Sequence, residues 1–274
     1  MMIKRVIGMY FSGTGTTGKI VTAAAETMHE EIPGSSLAQI NFTPLQTRSK
    51  VYRFSSEDLV VFGTPVIAGR VPNVLLKFLN TLEGGGALAV PVVLYGNRNF
   101  DDALIELRDI LEARGFHTVA AAAFIGEHSF SRVLAAGRPN EKDMAICRDF
   151  AKSAAAKILS GDVPPGPVTV DGQEPLRDYY KPRDRQGNFI NILKVKPKLD
   201  EAKCDGCGLC VEACPMGSIK PEAPGVVDGI CIKCCGCEKK CPQGALYFDD
   251  PGYLYHKEEL ELGYPEPKEP KLFL

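Results

Sequence analysis

Residues 10–19 read "YFSGTGTTGK", a stretch that satisfies three phosphate-binding patterns at once. Gly13, Gly15 and Gly18 spell the G-x-G-x-x-G turn of dinucleotide sites, and Gly13 to Lys19 spell the first seven positions of a triphosphate loop. Read through its hydroxyls, the same stretch is Ser12-x-Thr14-Gly15-x-Thr17, a cradle for one terminal phosphate. A triphosphate loop needs Ser or Thr after its lysine to hold magnesium, and Ile20 stands there. A dinucleotide site wants an acid some ~20 residues on, at the end of the second strand. Around "LAQINF", residues 37–42, there is none. The hydroxyl reading asks for a short apolar strand, a tight Ser/Thr/Gly turn and a helix whose first amides face the ligand. All three are present. Backbone N–H groups, hydroxyls and the positive end of a helix can hold a phosphate dianion without a buried lysine, which suits a phosphate monoester such as FMN.

Outward from that loop, five short β-like runs alternate with helical stretches through residue 160. They are "VIGMYF" from Val6, "LAQI" from Leu37, "LVVF" from Leu59, "VVLY" from Val92 and "TVAAAAFI" from Thr118. Such alternation predicts an α/β fold with a doubly wound parallel sheet, covered by helices on both faces. Asn99, Asp101 and Asp102 open a helix that Gly115 closes, and Val71-Pro72-Asn73 opens another that runs to Gly84-Gly85-Gly86. The last helix of this half begins near Pro139 and Asn140 and stops at Gly161, beyond which Pro164, Pro165 and Pro167 forbid continuation. Met144, Cys147, Ala151, Ala154 and Ile158 share one face of it, which makes Cys147 a core residue.

This half resembles the flavodoxin family, whose phosphate loop follows [S/T]-x-T-G-x-T and whose strand order is 2-1-3-4-5. The resemblance covers residues 1–160 and rests on "SGTGTT", on "GTPVIAGRVPN" after the third strand and on "YGNRNFDD" after the fourth. It implies FMN as cofactor, with its phosphate on Ser12, Gly13, Thr14, Gly15, Thr16 and Thr17. The ring contacts it implies are Thr64, Pro65, Val66, Ile67, Ala68 and Gly69, then Gly96, Asn97, Arg98, Asn99 and Phe100. Many members sandwich the flavin between Trp and Tyr. This chain has no Trp, so Val66, Ile67 and Phe100 are left for the ring and one flavin face is expected to be open. Arg70 and Arg98 are candidates to steady charge on reduced flavin, or ordinary surface charges. His128 is a candidate for the flavin edge or an ordinary loop histidine.

The C-terminal third carries a different pattern. Eight of the ten cysteines form two runs, Cys204-x2-Cys207-x2-Cys210-x3-Cys214-Pro215 and Cys231-x2-Cys234-x2-Cys237-x3-Cys241-Pro242, repeated with a period of 27 residues. Three cysteines at a spacing of three can wrap one corner of a cubane, and the fourth is badly placed to finish the same site. Structural zinc usually shows two C-x2-C pairs on a longer loop and has no use for the third cysteine of each run. Cys235 breaks the spacing and is read as a bystander.

The repeat resembles the two-cluster ferredoxin module of bacteria over residues 200–250. By that resemblance each fourth cysteine serves the other cluster. One [4Fe-4S] cluster is then held by Cys204, Cys207, Cys210 and Cys241, and the other by Cys231, Cys234, Cys237 and Cys214.

The expected organisation is a flavodoxin-like domain over residues 1–162, a linker over 163–199, a small α+β ferredoxin domain over 200–250 and a tail over 251–274. From Arg177 to Lys198 the linker carries seven Lys and Arg against two Asp, while Asp249 to Lys271 holds seven acids against three lysines. The basic strip reads as a solvated linker, as a docking strip for an acidic partner, or as one for the chain's own tail. A net charge of -2 argues against nucleic acid as partner. No apolar run approaches the ~20 residues of a membrane helix and no signal-peptide core is evident, so a soluble, cytoplasmic protein is expected.

Joined in this order, the two halves resemble the flavodoxin-ferredoxin fusion proteins of anaerobic bacteria and archaea. That resemblance implies low-potential electron transfer between the clusters, FMN and a redox-protein partner, a ferredoxin or a low-potential reductase. The alternative is a ferredoxin-dependent reductase of a small-molecule acceptor, with a pocket over the flavin near Phe100 and His128. Oxidation of NAD(P)H is disfavoured, since the one glycine fingerprint is already taken.

Overall fold

The computed structural model describes residues 2–274. The sheet begins with β1 (Arg5–Tyr10), β2 (Ser36–Asn41), β3 (Asp58–Pro65) and β4 (Leu88–Tyr95). It continues through the two-residue β5 (His117–Thr118) and β6 (Ala121–Ile125). All of these run parallel, and the order β2-β1-β3-β4-β6 is the expected 2-1-3-4-5. Side-chain parity builds the two cores. Val6, Leu59, Val61, Val92 and Phe124 face α1 (Thr16–Glu31) and α4 (Glu141–Ser160). Ile7, Val60, Phe62, Val93 and Ala123 face α2 (Asn73–Leu79) and α3 (Ala103–Ala113). Cys147 is fully buried in the first of these cores.

Caps fall where the sequence puts them on α4, whereas no side chain caps α2 or α3. Asn140 and Asp143 form a reciprocal capping box on α4, and Gly161 closes that helix in the left-handed region at φ 77°. The α2 helix is shorter than its sequence signals suggest, ending at Leu79 rather than at the glycine run. The fifth run is split. Its break falls opposite Pro91, between the pairings of β4 with β5 at Leu88–Ala89 and with β6 at Val92–Tyr95.

The sheet also has a strand beyond the expected five. Residues of the tail form β9 (Lys271–Phe273), antiparallel to β6, so the tail covers what would otherwise be an open edge. The cysteine-rich module contributes β7 (Lys198–Leu199) paired with β8 (Leu246–Tyr247), and the short helices α5 (Leu209–Ala213) and α6 (Gly236–Lys240). After it comes α7 (Pro251–Gly263), started by Asp250, whose carboxylate accepts from the Tyr253 amide. No helix among the described residues is long and apolar enough to cross a membrane.

The linker is bound down rather than free. Val168 is buried in the second core, and its amide donates to the Thr118 carbonyl. Asp102, fully buried at the start of α3, accepts from the amides of Gln173 at 3.0 Å and Arg177 at 2.8 Å. Part of the basic strip pairs with the acidic tail, through Arg185 with Glu259 and Lys198 with Asp249.

Charge-assisted hydrogen bonds of this kind are worth roughly 1.5–3 kcal/mol each. Asp102→Ala should therefore release the linker while leaving the sheet folded. In limited proteolysis, trypsin should cut at Arg183 and Arg185 on the order of tenfold faster. Unchanged cutting would show that the linker is anchored elsewhere.

Candidate functional site

The expected phosphate loop joins β1 to α1 at the carboxyl end of the sheet. Gly15 is the N-cap residue at φ 103°, a conformation a side chain resists, and no side chain caps the helix. Ser12 donates its amide to Thr43 Oγ1 at 2.7 Å and accepts from the Gly18 amide at 3.0 Å. Among the described residues, the amides of Gly13, Thr14, Gly15, Thr16 and Thr17 have no protein acceptor. Five successive unpaired donors stand at the positive end of a sixteen-residue helix, an arrangement whose chemistry favours an anion.

The two expected ring loops flank it. Thr64, fully buried at the end of β3, has a hydroxyl with no hydrogen-bond partner among the described residues. A buried polar atom left open at the mouth of the site fits a ligand that is itself polar. Ala68 and Gly69 turn the first loop through the left-handed region, and Asn97 does so in the second. The Asn97 side chain donates to the carbonyls of Tyr264 and Glu266, so the tail holds that loop in place.

Several sequence expectations change here. Arg70 is engaged in a two-pronged ion pair with the buried Glu106 carboxylate, both bonds 2.7 Å, and lies over the Tyr179 ring. Arg98 pairs with Asp101 and lies 4.5 Å from the Tyr180 ring centroid. Phe100 is buried against Tyr95. The loops are not left open, because Tyr180 of the linker donates its amide to the Ala68 carbonyl and stacks on His256 of α7. The cavity at Phe100 is lined with Asp101, Arg177, Lys268 and Lys271, and His128 is not part of it. His128 instead packs against Gly96 and accepts from the Phe130 amide through Nδ1.

The cysteines assemble as two sets. Cys204, Cys207, Cys210 and Cys241 line one cavity, joining three residues of the first run to the last of the second. Burial pushes the Cys234 thiol up to about 11 and the Cys237 thiol up to about 12, and the sulfurs of Cys231 and Cys214 press both in the same direction. Cys214, Cys231, Cys234 and Cys237 are the four that the ferredoxin resemblance assigns to the second cluster. Backbone amides point at the sulfurs: Gly225 at Cys210 (3.1 Å), Ala245 at Cys241 (3.4 Å) and Ser218 at Cys214 (3.4 Å). Among the described residues no three His, Cys, Asp or Glu side chains converge as they would on a single metal ion. Cys235 is buried outside both sets, its sulfur 3.4 Å from the Tyr253 hydroxyl, as its off-register position suggested.

The two modules meet at the phosphate loop. A Cβ on Gly13 would lie 2.9 Å from Cys234 Cβ, and one on Gly236 would lie 2.6 Å from the Gly13 carbonyl oxygen. Lys239, between Cys237 and Cys241, crosses to the sheet module and donates to Glu127 (2.5 Å) and to the carbonyls of His128 and Ser131 (both 2.7 Å). All three of its protons are used. Arg48 crosses in the other direction, to the Pro215 carbonyl. Sequence reasoning missed Arg48, Tyr180 and Lys239. The only signal was an aromatic pair, Tyr179 and Tyr180, inside an otherwise charged linker.

Residues 197–220 match a 4Fe-4S binding domain family (Fer4). Over 76 residues the chain is 36% identical to indolepyruvate oxidoreductase subunit IorA of Methanothermobacter thermautotrophicus, a match covering 25% of this chain and 11% of that protein. The chain thus matches only about a tenth of that relative's length. Among solved structures, a flavodoxin from the domain Archaea is 14% identical, with 57% of this chain and 99% of that one covered at a TM-score of 0.42. For the two-electron reduced flavodoxin of Megasphaera elsdenii the values are 15%, 56%, 99% and 0.37. It is the strand order, rather than these superpositions, that makes the sheet flavodoxin-like. The chain joins a flavodoxin-like α/β domain to a ferredoxin-type 4Fe-4S domain.

A methyl group at position 236 has no room beside the Gly13 carbonyl. Gly236→Ala should cost about 1–3 kcal/mol, read as a lower midpoint in urea, with the far-ultraviolet spectrum unchanged at zero denaturant. Burial, then for His128 the nearby Lys239, His256 and Arg98, lowers both His128 and His256 to about 4, while Glu261 acts the other way on His128. The unfolded chain takes up these two protons below about pH 6.5 and the folded one only near pH 4. Stability should therefore fall as pH drops through that window. His256→Gln should flatten the slope there in denaturation curves taken at successive pH values.

Proposed function

We propose that this chain is an iron-sulfur flavoprotein that passes low-potential electrons between two [4Fe-4S] clusters, FMN and a redox-protein partner. The observation that carries the proposal is the contact of Gly13, in the phosphate loop, with Cys234, in the second cysteine run. A flavin site and a cluster site that share a wall can exchange electrons without a moving domain.

In this reading Ser12, Thr14, Thr16, Thr17 and the amides from Gly13 onward hold the FMN phosphate. Thr64 offers its unpaired hydroxyl to the flavin, and residues 65–69 and 96–100 form the walls. The crossed cysteine sets hold the clusters, aided by the amides of Gly225, Ala245 and Ser218, whose N–H groups offset thiolate charge. Bound FMN would supply the step between electron pairs and single electrons, which the clusters cannot perform.

Reduction of a small molecule over an open flavin face is the competing reading. It finds less support, because Tyr180 and the segment from Tyr264 to Lys268 already lie on the ring loops. A redox protein of the reducing cytoplasm, ferredoxin or low-potential reductase, is the partner this reading calls for.

Protein purified without oxygen should contain about eight irons and one FMN per chain. Reducing the clusters with a low-potential viologen should bleach the flavin band in the same sample. Zinc in place of iron, or the absence of flavin, would defeat the corresponding half. Rapid saturable turnover with one small acceptor such as a quinone or enone would replace the carrier by a reductase.

A further inference from the structure

Arg48 lies in a short 3-10 turn (Leu45–Ser49) after β2 and is half-buried. Its guanidinium donates to the carbonyls of Thr43 (3.0 Å) and Phe42 (3.5 Å) on its own module and of Pro215 on the other, and lies 5.5 Å from the Phe11 ring centroid. Every one of those partners is neutral. The other arginines bound across the fold, Arg5, Arg70 and Arg138, each face a carboxylate. Arg48 reaches the cysteine run instead: the Pro215 carbonyl it binds directly follows Cys214 in the chain. A cation taken out of water with only neutral partners is costly unless an opposite charge arrives. Iron-sulfur clusters bound by four thiolates carry net negative charge, and a one-electron reduction adds to it.

We propose that Arg48 is the counter-charge of the cluster held by Cys214, Cys231, Cys234 and Cys237, and that it raises that cluster's reduction potential above that of its twin. The inference rests on the cluster reading of the cysteine runs. The electron enters from an external reductant, and the positive charge favours the more negative product. The cavity lined by Cys204, Cys207, Cys210 and Cys241 is lined by no arginine or lysine. Lys233 also borders the Cys231 site, donating to the Cys231 carbonyl, but it belongs to the run itself. Arg48 is a positioning and tuning residue from the other module. Because Thr43 also receives the Ser12 amide, Arg48 links the phosphate loop, through Thr43, to Pro215 beside Cys214.

The test is an anaerobic redox titration of the full chain with dithionite and mediator dyes, followed by electron paramagnetic resonance. It compares the native chain with Arg48→Met, Arg48→Gln and Arg48→Lys. The neutral variants should lower the potential of one cluster by about 59 mV, the equivalent of a tenfold change in a one-electron equilibrium. The other cluster, the iron content and the flavin content should stay as they were, and Arg48→Lys should keep most of the native value. Should Arg48→Met fail to fold, Arg48→Gln, which keeps hydrogen bonding without charge, carries the same expectation. Unmoved potentials, equal shifts in both clusters, or an Arg48→Lys shift as large as that of the neutral variants would overturn the proposal. A native chain lacking the irons tells against the cluster reading itself, whereas loaded clusters indifferent to Arg48 tell against this inference alone.

Discussion

Two backbones approach at Gly13 and Gly236 until neither position has room for a Cβ, and most of the molecule's arrangement follows from that approach. Glycine at 13 is demanded by a neighbouring module rather than by a pyrophosphate. Gly18 is demanded by the Tyr10 ring, which a Cβ would meet at 2.9 Å. The dinucleotide fingerprint in the sequence is therefore a coincidence of two packing requirements and, at Gly15, a left-handed backbone. With the loop and the cysteine run in contact, the other crossings fall into place: Lys239 reaches three acceptors and Arg48 reaches Pro215. A buried ammonium with all three protons satisfied orients the modules more firmly than an exposed ion pair, which water and salt weaken.

The cysteine-rich module has little else to hold it. Its core is Cys210, Ile219 and Leu246, with a few half-buried neighbours. A unit of about fifty residues with so small an apolar centre needs staples, and in the proposed reading the clusters are the staples. Burial holds the thiols of Cys234 and Cys237 protonated in their absence, so iron binding would release protons and add folding free energy together. The sheet module, packed on both faces, needs no such help.

Features carried by local pattern were legible in the sequence. The strand runs, the Asn140 cap, the Gly161 stop, the strand–turn–helix around Gly15 and the cysteine repeat all depend on spacings of a few residues. Features that depend on contacts between distant segments were not. β9 is three residues of the acidic tail, and only the open edge beside β6 gives it a partner. Arg70 read as a candidate for flavin because Glu106 lies 36 positions away and enters its surroundings only through the fold. Tyr180 binds the Ala68 loop from a linker that reads as a spacer. The expected open face was inferred from the sheet module alone, whereas the contacts on its loops come from the linker and the tail.

The binding-down of the linker bears on how electrons would move. A tethered domain that swings needs a linker with few contacts, whereas this one is held by Asp102, Val168 and the Arg185–Glu259 pair, with the tail threaded into the sheet. The modules are thus built for a constant separation rather than for encounter. The two cysteine sets then differ in position. Cys207 is exposed beside two glycines, Gly206 and Gly208, that have open space around them. Cys234 lies against the phosphate loop. In the proposed transfer, the first set faces the partner and the second faces the flavin. A repeat that is nearly symmetric in sequence thereby acquires direction from what each half touches.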